Sequence, residues 1–257
     1  MDKIIDTSDQ KFVLFEMLKV QDLFQYDRYK ELDKDTVEMA LDLMKTVCEE
    51  ELLPTYSEGD KTGARLIDGQ VKVPESFKPL HKLMNESGLF TMGLPVEVGG
   101  QGFPFIVDSA AREFYAFHMG FLLYPEAAIG AGHLVQHYGT DEQKRKYMKP
   151  IFEGRFGGTM VLTEPEAGSD VGALKTKAVK QPDGRYKISG QKIFISGGDS
   201  DIFENIVHPV LARIEGDPAG TKGISIFIVP KYFVNDDGSL GARNDYSIAG
   251  IEHKMGI

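Results

Sequence analysis

The chain has 257 residues and a formal net charge of −10 at neutral pH, which argues against nucleic acid or an anionic membrane surface as its partner. Its single cysteine excludes a disulfide framework and is typical of a reducing compartment. The sequence shows no signal-peptide pattern, and no apolar run reaches the ~20 residues that a membrane span needs. We therefore expect a cytoplasmic protein that is large enough for two domains.

The chain up to about residue 155 is patterned as helices and loops. Apolar spacing predicts a short helix at 9–24 and a longer one at 35–53, with Asp35 as its N-cap and Glu38 closing a capping box. Cys48 falls on the apolar stripe of the second helix. That position favours a core residue over a nucleophile.

Residues 56–73 are polar and contain several glycines, so a loop is predicted there. Thr140 and Gln143 form a second capping box, which begins a helix at 141–149 that Pro150 is expected to end. Three more helices are predicted, at 74–87, 105–119 and 124–138.

From residue 156 the apolar residues follow strand patterns. Apolar runs occur at 157–162, 174–180, 185–189, 192–196, 206–214 and 224–229. Turn residues such as Pro182-Asp183-Gly184 separate them, which predicts an antiparallel sheet or barrel. Pro209 lies inside one run and predicts an edge strand or a bulge. Residues 248–257 are patterned as a strand that no turn or cap ends, so we expect this sequence to belong to a longer one.

The most informative stretch lies where the helical pattern gives way to strands. It reads Thr163-Glu164-Pro165-Glu166-Ala167-Gly168-Ser169-Asp170. Pro165 removes an amide donor, and Gly168 allows the backbone to approach a ligand closely. The hydroxyls of Thr163 and Ser169, with unpaired main-chain amides, are groups that orient a large polar cofactor, and a backbone nest suits pyrophosphate. An ordinary tight connection is the alternative interpretation.

Together with Gly190-Gln191-Lys192 and Phe194-Ile195-Ser196-Gly197-Gly198, this stretch resembles the acyl-CoA dehydrogenases. The helix start at 139–144 and the loop at 94–102 are similar to that family too, so the resemblance covers residue 75 onward. Lys11-Phe12-Val13-Leu14-Phe15-Glu16 resembles the subgroup that contains 3-methylmercaptopropionyl-CoA dehydrogenase.

The resemblance implies an α+β fold, in which an all-α amino-terminal domain precedes an antiparallel β-barrel-like domain. We place the amino-terminal extension and first helices at 1–74, the helical domain at 75–155, and an incomplete middle β domain at 156–257. The carboxy-terminal helical domain of the family would be absent.

The resemblance also implies FAD as cofactor and an acyl-CoA thioester as substrate. In the family a carboxylate removes the α proton while hydride passes from the β carbon to the flavin, giving a 2-enoyl-CoA. An electron-transfer flavoprotein or another acceptor, and a homo-oligomer of the full-length protein, are the implied partners. No catalytic base is assigned, because the family carries it in the domain expected to be absent. Glu164 and Glu166 are expected to fix the loop or to face solvent.

By their place in the motifs, Leu162 (main chain) and Thr163 are expected to bond the flavin's pyrimidine edge, and Ser196 to lie near N5 with Phe194 beside the ring. Ser169 is expected to face the pyrophosphate and the substrate's pantetheine arm. The family usually has an aromatic residue at the position of Met160, so the flavin contact made by that aromatic ring is not expected here. The predicted cofactor-binding set is Met160, Leu162, Thr163, Gly168, Ser169, Phe194, Ile195 and Ser196.

The sequence also contains features with other interpretations. His133 and His137 have the i, i+4 spacing of zinc proteases, but Leu134 stands where such enzymes have glutamate and no third ligand is evident, so packing is favoured. An acyl-CoA oxidase of the same fold is the alternative enzyme. A non-catalytic module that binds flavin is the expectation for this chain by itself.

Overall fold

The computed structural model describes residues 6–254. Within that range the chain forms two compact units. Unit 1 contains the residues up to 64 and Val73–Leu122, and unit 2 contains Arg65–Lys72 and Leu123–His253. The domain limits expected from the sequence, 74/75 and 155/156, are a different division and stay predictions.

Unit 1 is helical. Its helices are α1 (Thr7–Lys11), α2 (Lys34–Val47), α3 (Leu53–Thr62), α4 (Phe77–Glu86) and α5 (Phe105–Glu113), and α6 (Met119–Tyr138) begins in it. A π-helical turn joins α2 to α3, so that the two helices are continuous. The inward stripe of α2 is buried because its apolar residues recur at helical spacing, namely Val37, Leu41, Met44 and Val47. Cys48 is fully buried beside that stripe, as predicted, and burial raises the pKa of its thiol to about 12.

Three predictions for the first 75 residues were wrong. The helix at 9–24 is broken, because Lys19 adopts a left-handed backbone with φ of 49°. The N-cap of α2 is Asp33, which accepts a hydrogen bond from the Thr36 amide at 2.7 Å, and not Asp35. The loop at 56–73 is instead the end of α3 followed by a hairpin.

That hairpin consists of β1 (Arg65–Ile67) and β2 (Gln70–Lys72). Asp68-Gly69 turns it, and both residues have positive φ, 49° and 74°. This is the backbone that a two-residue hairpin turn requires, and Asp-Gly is a strong signal for it. The sequence therefore contained the evidence for the hairpin.

Helices also open the main part of unit 2. Beyond α6 come α7 (Asp141–Gln143) and α8 (Lys149–Phe152), joined by a π-helical turn. The Thr140–Gln143 capping box is confirmed, with both reciprocal hydrogen bonds present. Pro150 does not end the helix, because it lies in the first turn of α8, where a missing amide donor is tolerated. The break predicted between 119 and 124 is also wrong, since α6 runs through Pro125.

A five-stranded sheet follows. It consists of β3 (Phe156–Gly158), β4 (Lys177–Lys180), β5 (Tyr186–Ser189), β6 (Asn205–Ile214) and β7 (Ile224–Pro230). β3 and β4 both pair with β6, and β5 pairs with β4. β7 pairs with the other edge of β6. A separate pair, β8 (Tyr232–Val234) and β9 (Leu240–Arg243), was not predicted.

The expected fold class is confirmed as helices followed by a β domain, with two corrections to the sheet. It is mixed, because β3 and β4 both lie parallel to the long strand β6 and share one of its edges. It is also open: within residues 6–254, β5 bonds to β4 and closes no barrel.

Pro209 lies in the central strand β6, so the edge-strand prediction was wrong. Its carbonyl accepts a hydrogen bond from the Val161 amide at 2.8 Å. Proline has no N–H, so one hydrogen bond of the sheet is absent here. The gap lies between the end of β3 at Gly158 and the isolated bridge of Val161 to Val210. The sheet therefore loses one bond at a place where the ladder is already interrupted.

Two predicted strands did not form. Residues 192–196 are irregular because Phe194 has a φ of 58°, which a strand does not allow. Residues 248–254 have no regular structure, and 255–257 lie outside the described residues. In the described part of the chain, no helix is both long and apolar enough to cross a membrane.

Candidate functional site

A cavity of about 350 Å³ lies within unit 2. One wall is a face of α6, formed by Ala127, Gly130, Ala131 and Leu134, whose i, i+3, i+4, i+7 spacing places them on one side of the helix. The other wall is formed by Thr159, Met160, Phe194 and Ser196. The lining residues are therefore mainly apolar, and two of them, Thr159 and Ser196, bear hydroxyl groups.

The small residues of α6 allow β3 to approach the helix closely. A side chain at Gly158 would place its Cβ about 2.5 Å from the Cβ of Ala131. Thr159 follows directly, and its amide donates to the carbonyl of Val207 at 3.1 Å. The sheet thereby fixes the backbone that carries Thr159 and Met160 along the cavity wall.

The two sequence motifs lie side by side. The Ile193 amide donates to the carbonyl of Thr163 at 2.9 Å, and the Lys192 ammonium donates to the carbonyl of Leu162 at 2.8 Å. These bonds join segments about thirty residues apart. The segment after Lys192 then runs on to Phe194 and Ser196 in the cavity wall.

Phe194 is the strained residue of the site. Its left-handed backbone costs a non-glycine residue roughly 1 to 2 kcal/mol, while the residue as a whole is 54% exposed. A turn follows it, in which the Gly198 amide donates to the carbonyl of Ile195 at 3.1 Å. Neighbouring structure thus holds an aromatic ring at the cavity although the ring gains little from burial.

A buried carboxylate holds the motif loop in place. We call Glu164 with its partners Lys175, Thr176 and Lys192 the Glu164 clamp. Glu164 accepts from the Lys175 amide at 2.6 Å, the Thr176 hydroxyl at 2.5 Å, the Thr176 amide at 3.1 Å and the Lys192 ammonium at 2.9 Å. Glu164 and Lys192 are only 6% and 10% exposed. The clamp therefore ties three separate stretches of backbone together.

The clamp keeps its carboxylate ionised. Burial by itself raises the pKa of Glu164, but the hydrogen bonds from Thr176, Lys175 and Lys192 outweigh it and lower the pKa to about 2. Glu166, two residues on, is exposed and pairs with the Lys175 ammonium. The expectation that these glutamates fix the loop or face solvent is confirmed, and the structure assigns the first role to Glu164 and the second to Glu166. Neither has the environment of a proton acceptor near neutral pH.

The structure brings part of the predicted cofactor set together. Met160, Phe194 and Ser196 line the cavity. Leu162, Thr163 and Ile195 contribute carbonyls to the bonds that shape the two segments. Gly168 and Ser169 are exposed on the turn and do not line this cavity.

Five lining residues were missed by sequence reasoning. The signal for the four on α6 was their i, i+3, i+4, i+7 spacing, which marks one helix face. Thr159 carries no local signal, because its place depends on how β3 pairs. The missed residues are Ala127, Gly130, Ala131, Leu134 and Thr159.

The histidine pair on α6 packs with its neighbours. The rings of His133 and His137 stack with centroids 6.3 Å apart, and His133 meets the Phe152 ring edge-on at 5.6 Å. His133 Nδ1 lies 3.1 Å from the side-chain oxygen of Gln136. Among residues 6–254 no three His, Cys, Asp or Glu side chains are grouped so as to hold a metal ion.

Comparison with known proteins agrees with this architecture. Residues 34–155 match the family model "Acyl-CoA dehydrogenase, N-terminal domain", and residues 159–256 match "Acyl-CoA dehydrogenase, middle domain". This chain belongs to the acyl-CoA dehydrogenase family. The recognition made from the motifs is thereby confirmed.

Two curated relatives illustrate how similar this chain is to the family. The chain is 40% identical over 230 residues to 3-methylmercaptopropionyl-CoA dehydrogenase of Ruegeria pomeroyi, covering 89% of this chain and 39% of the relative. It is 40% identical over 254 residues to the broad-specificity linear acyl-CoA dehydrogenase FadE5 of Mycobacterium tuberculosis, covering 97% and 41%. The chain thus spans about two fifths of the length of these relatives.

A solved structure shares the fold. The acyl-CoA dehydrogenase of Bacillus anthracis, complexed with FAD, has a TM-score of 0.62 and 26% identity. The match covers 79% of this chain and 32% of that one.

Proposed function

We propose that this chain provides the flavin-binding and acyl-CoA-binding part of an FAD-dependent acyl-CoA dehydrogenase. The reaction would convert an acyl-CoA thioester to the 2-enoyl-CoA. The observation that carries the proposal is the cavity in which Met160, Phe194 and Ser196 meet, within a member of this family. When bound, FAD would supply the acceptor for the hydride.

The residues present fit a flavin ring. The face of α6 offers small and aliphatic side chains, which suit a flat apolar surface, and the exposed ring of Phe194 offers a second such surface. Ser196 supplies a hydroxyl that can bond an edge of the ring. Met160 is 42% exposed and supplies an adaptable thioether where an aromatic residue is usual in the family.

The remaining predicted residues take supporting roles in this proposal. Leu162 and Thr163 would present main-chain and hydroxyl groups to the flavin's pyrimidine edge. Gly168 and Ser169 lie exposed on the turn that the Glu164 clamp fixes. They would meet the pyrophosphate and the pantetheine arm.

Binding and proton abstraction are separate tasks. None of the residues that line the cavity in the described part of the chain is a carboxylate, and Glu164 is held ionised by its hydrogen bonds. We therefore propose that a segment other than residues 6–254 supplies the base. An electron-transfer flavoprotein would reoxidise the flavin, and a homo-oligomer would be the assembled form.

The test uses the purified chain 1–257 and FAD. We expect saturable flavin binding, seen as a change in the visible spectrum and in fluorescence, without dye-coupled oxidation of a saturated acyl-CoA. Failure to bind FAD would overturn the proposal. Turnover would place the base inside this chain, and peroxide formed by a full-length version of this protein would indicate the oxidase instead.

A further inference from the structure

The irregular segment in the cavity wall is held at both of its ends by a buried ion pair. Before it, the Lys192 ammonium lies 2.9 Å from the Glu164 carboxylate. After it, the Lys231 ammonium lies 2.6 Å from the Asp199 carboxylate, and these two side chains are 12% and 3% exposed. The amide of Val71 also donates to Asp199, at 3.1 Å. We call Asp199, Lys231 and Val71 the Asp199 clamp.

Both partners of Asp199 belong to regular structure. Lys231 follows β7 directly, and its amide donates to the carbonyl of Ile206 on β6 at 2.8 Å. Val71 is the middle residue of β2 and pairs with Leu66 on β1. Each carboxylate oxygen of Asp199 therefore accepts from a group that a sheet holds in place. The clamp thereby fixes where the backbone at Asp199 lies.

The position of Ser196 depends on that fixed point. Two residues, Gly197 and Gly198, separate Ser196 from Asp199. Gly197 has a φ of 63°, and glycine restricts the backbone less than any other residue. A pair of glycines that led into a loose segment would leave Ser196 several positions. The turn at Gly198 and the Asp199 clamp together allow one.

Ser196, unlike Asp199, can reach a ligand. Ser196 lines the cavity and is exposed. Asp199 is buried, and both of its carboxylate oxygens accept hydrogen bonds from the protein. An effect of Asp199 on a bound ligand must therefore be transmitted through the backbone that joins it to Ser196.

We propose that Asp199 is a positioning residue, which holds the Ser196 hydroxyl where it can bond the edge of a ring bound in the cavity. The inference rests on the proposed function for the identity of that ring as flavin. It gives the β1–β2 hairpin a part in ligand binding, through the amide of Val71, although the hairpin does not line the cavity.

The experiment is a FAD titration of the full chain 1–257 and its variants, followed by flavin fluorescence. Asp199→Asn keeps the shape of the side chain, but its amide group must face either the Lys231 ammonium or the Val71 amide, so that one donor faces another. The backbone then has to shift, and we expect the dissociation constant to rise about tenfold. Asp183→Asn is the matched control, because Asp183 pairs with Arg185 in an exposed turn, and it should match the wild type.

A double-mutant cycle separates positioning from a merely structural role. Ser196→Ala removes the hydroxyl and should raise the dissociation constant about tenfold. If Asp199 acts through Ser196, adding Asp199→Asn to Ser196→Ala should change the affinity by less than about twofold, whereas independent effects would multiply to about a hundredfold. The absorption bands of bound flavin should shift in the same direction in both single variants.

A milder variant covers the case in which Asp199→Asn does not fold, which circular dichroism at the titration temperature would show. Lys231→Gln keeps a donor for the Asp199 carboxylate and removes the positive charge. We expect its dissociation constant to rise about threefold, and again by less than about twofold when it is added to Ser196→Ala.

The outcomes distinguish the two proposals. Unaltered affinity and spectrum in a folded Asp199→Asn, or unaltered affinity in Ser196→Ala, would overturn the role of Asp199 and leave the proposed function standing. Losses that multiply in the double variant would make Asp199 merely structural, which also contradicts the inference. Absence of FAD binding by the wild type would overturn both proposals.

Discussion

The Glu164 clamp and the cavity lie close together along the chain, but the main residue of the clamp is buried whereas Phe194 in the cavity wall is half exposed. In the clamp, one carboxylate receives four hydrogen bonds from protein donors and is almost fully buried. In the cavity wall, Phe194 is about half exposed and has a strained backbone. The hydrogen bonds of the clamp all come from the protein, whereas Phe194 would gain contacts from the proposed ligand.

This difference distinguishes residues that stabilise the fold around the site, such as Glu164, from residues that would contact a ligand, such as Phe194. Both kinds lie in motifs that a sequence comparison treats alike. A satisfied buried ion pair should affect folding when it is altered, because one partner is left without compensation. Replacement of an exposed ring on strained backbone should change binding more than stability, because the ring contributes little to folding.

Glu164→Gln is the strongest test of this contrast. The substitution leaves the Lys192 ammonium buried without its counter-charge, and we expect unfolding to become easier by about 3 to 5 kcal/mol. Urea denaturation followed by circular dichroism measures the change. Glu166→Gln is the matched control, because Glu166 is exposed two residues away and its loss should leave the denaturation midpoint unchanged. Equal effects of the two substitutions would remove the distinction.

The second prediction concerns pH and His208. The folded protein holds this ring neutral, since burial lowers its pKa from 6.5 to about 4, with Asp199 opposing and Lys231 adding to that effect. Because the unfolded chain binds the proton more readily, stability falls as the pH drops from 6.5 to 4. The loss amounts to roughly 3 kcal/mol.

His208→Gln isolates this contribution, since glutamine can bond Thr159 and Tyr246 but does not titrate in this range. Measured by urea denaturation, the stability of the wild type relative to the variant should be constant above pH 6.5 and should decline toward pH 4. The loss from Glu164 lies lower, between pH 4.5 and 2, so the two are separable. Parallel curves for the two proteins between pH 7 and 4 would contradict the assignment.

The smallest expected effect is at Phe194. Glycine accepts the left-handed backbone, so Phe194→Gly should be about 1 kcal/mol more stable than Phe194→Ala, which keeps the strain. Both variants lose the ring and should bind FAD about tenfold more weakly than the wild type. Thermal melting and flavin titration measure the two effects. Wild-type affinity in both variants would exclude Phe194 from the binding surface.

Local features were the most predictable from sequence. The Thr140–Gln143 capping box depends on residues three apart, and it is present as expected. Asp33 and Asp35 illustrate the limit of such reasoning. Both are residue types that cap helices, and the register of the buried stripe on α2 decides between them.

Features that depend on pairing between distant strands were less predictable. Pro209 looks like an edge residue until the place where β3 ends is known. The partners of Glu164 lie 11, 12 and 28 residues away, so the loop-fixing role was predicted without its donors. The motif predicted Met160, Phe194 and Ser196 near one another, but Thr159 required the sheet.

The hairpin at 65–72 has a consequence for how this protein can be divided. The amide of Val71 donates to the carboxylate of Asp199 at 3.1 Å, and Lys72 lies 3.5 Å from Asp201, so a piece of sequence from the first third of the chain completes unit 2. A gene truncation that begins the chain between 73 and 122 would remove that piece. Independent expression of unit 2 would need the hairpin grafted back, for instance ahead of residue 123.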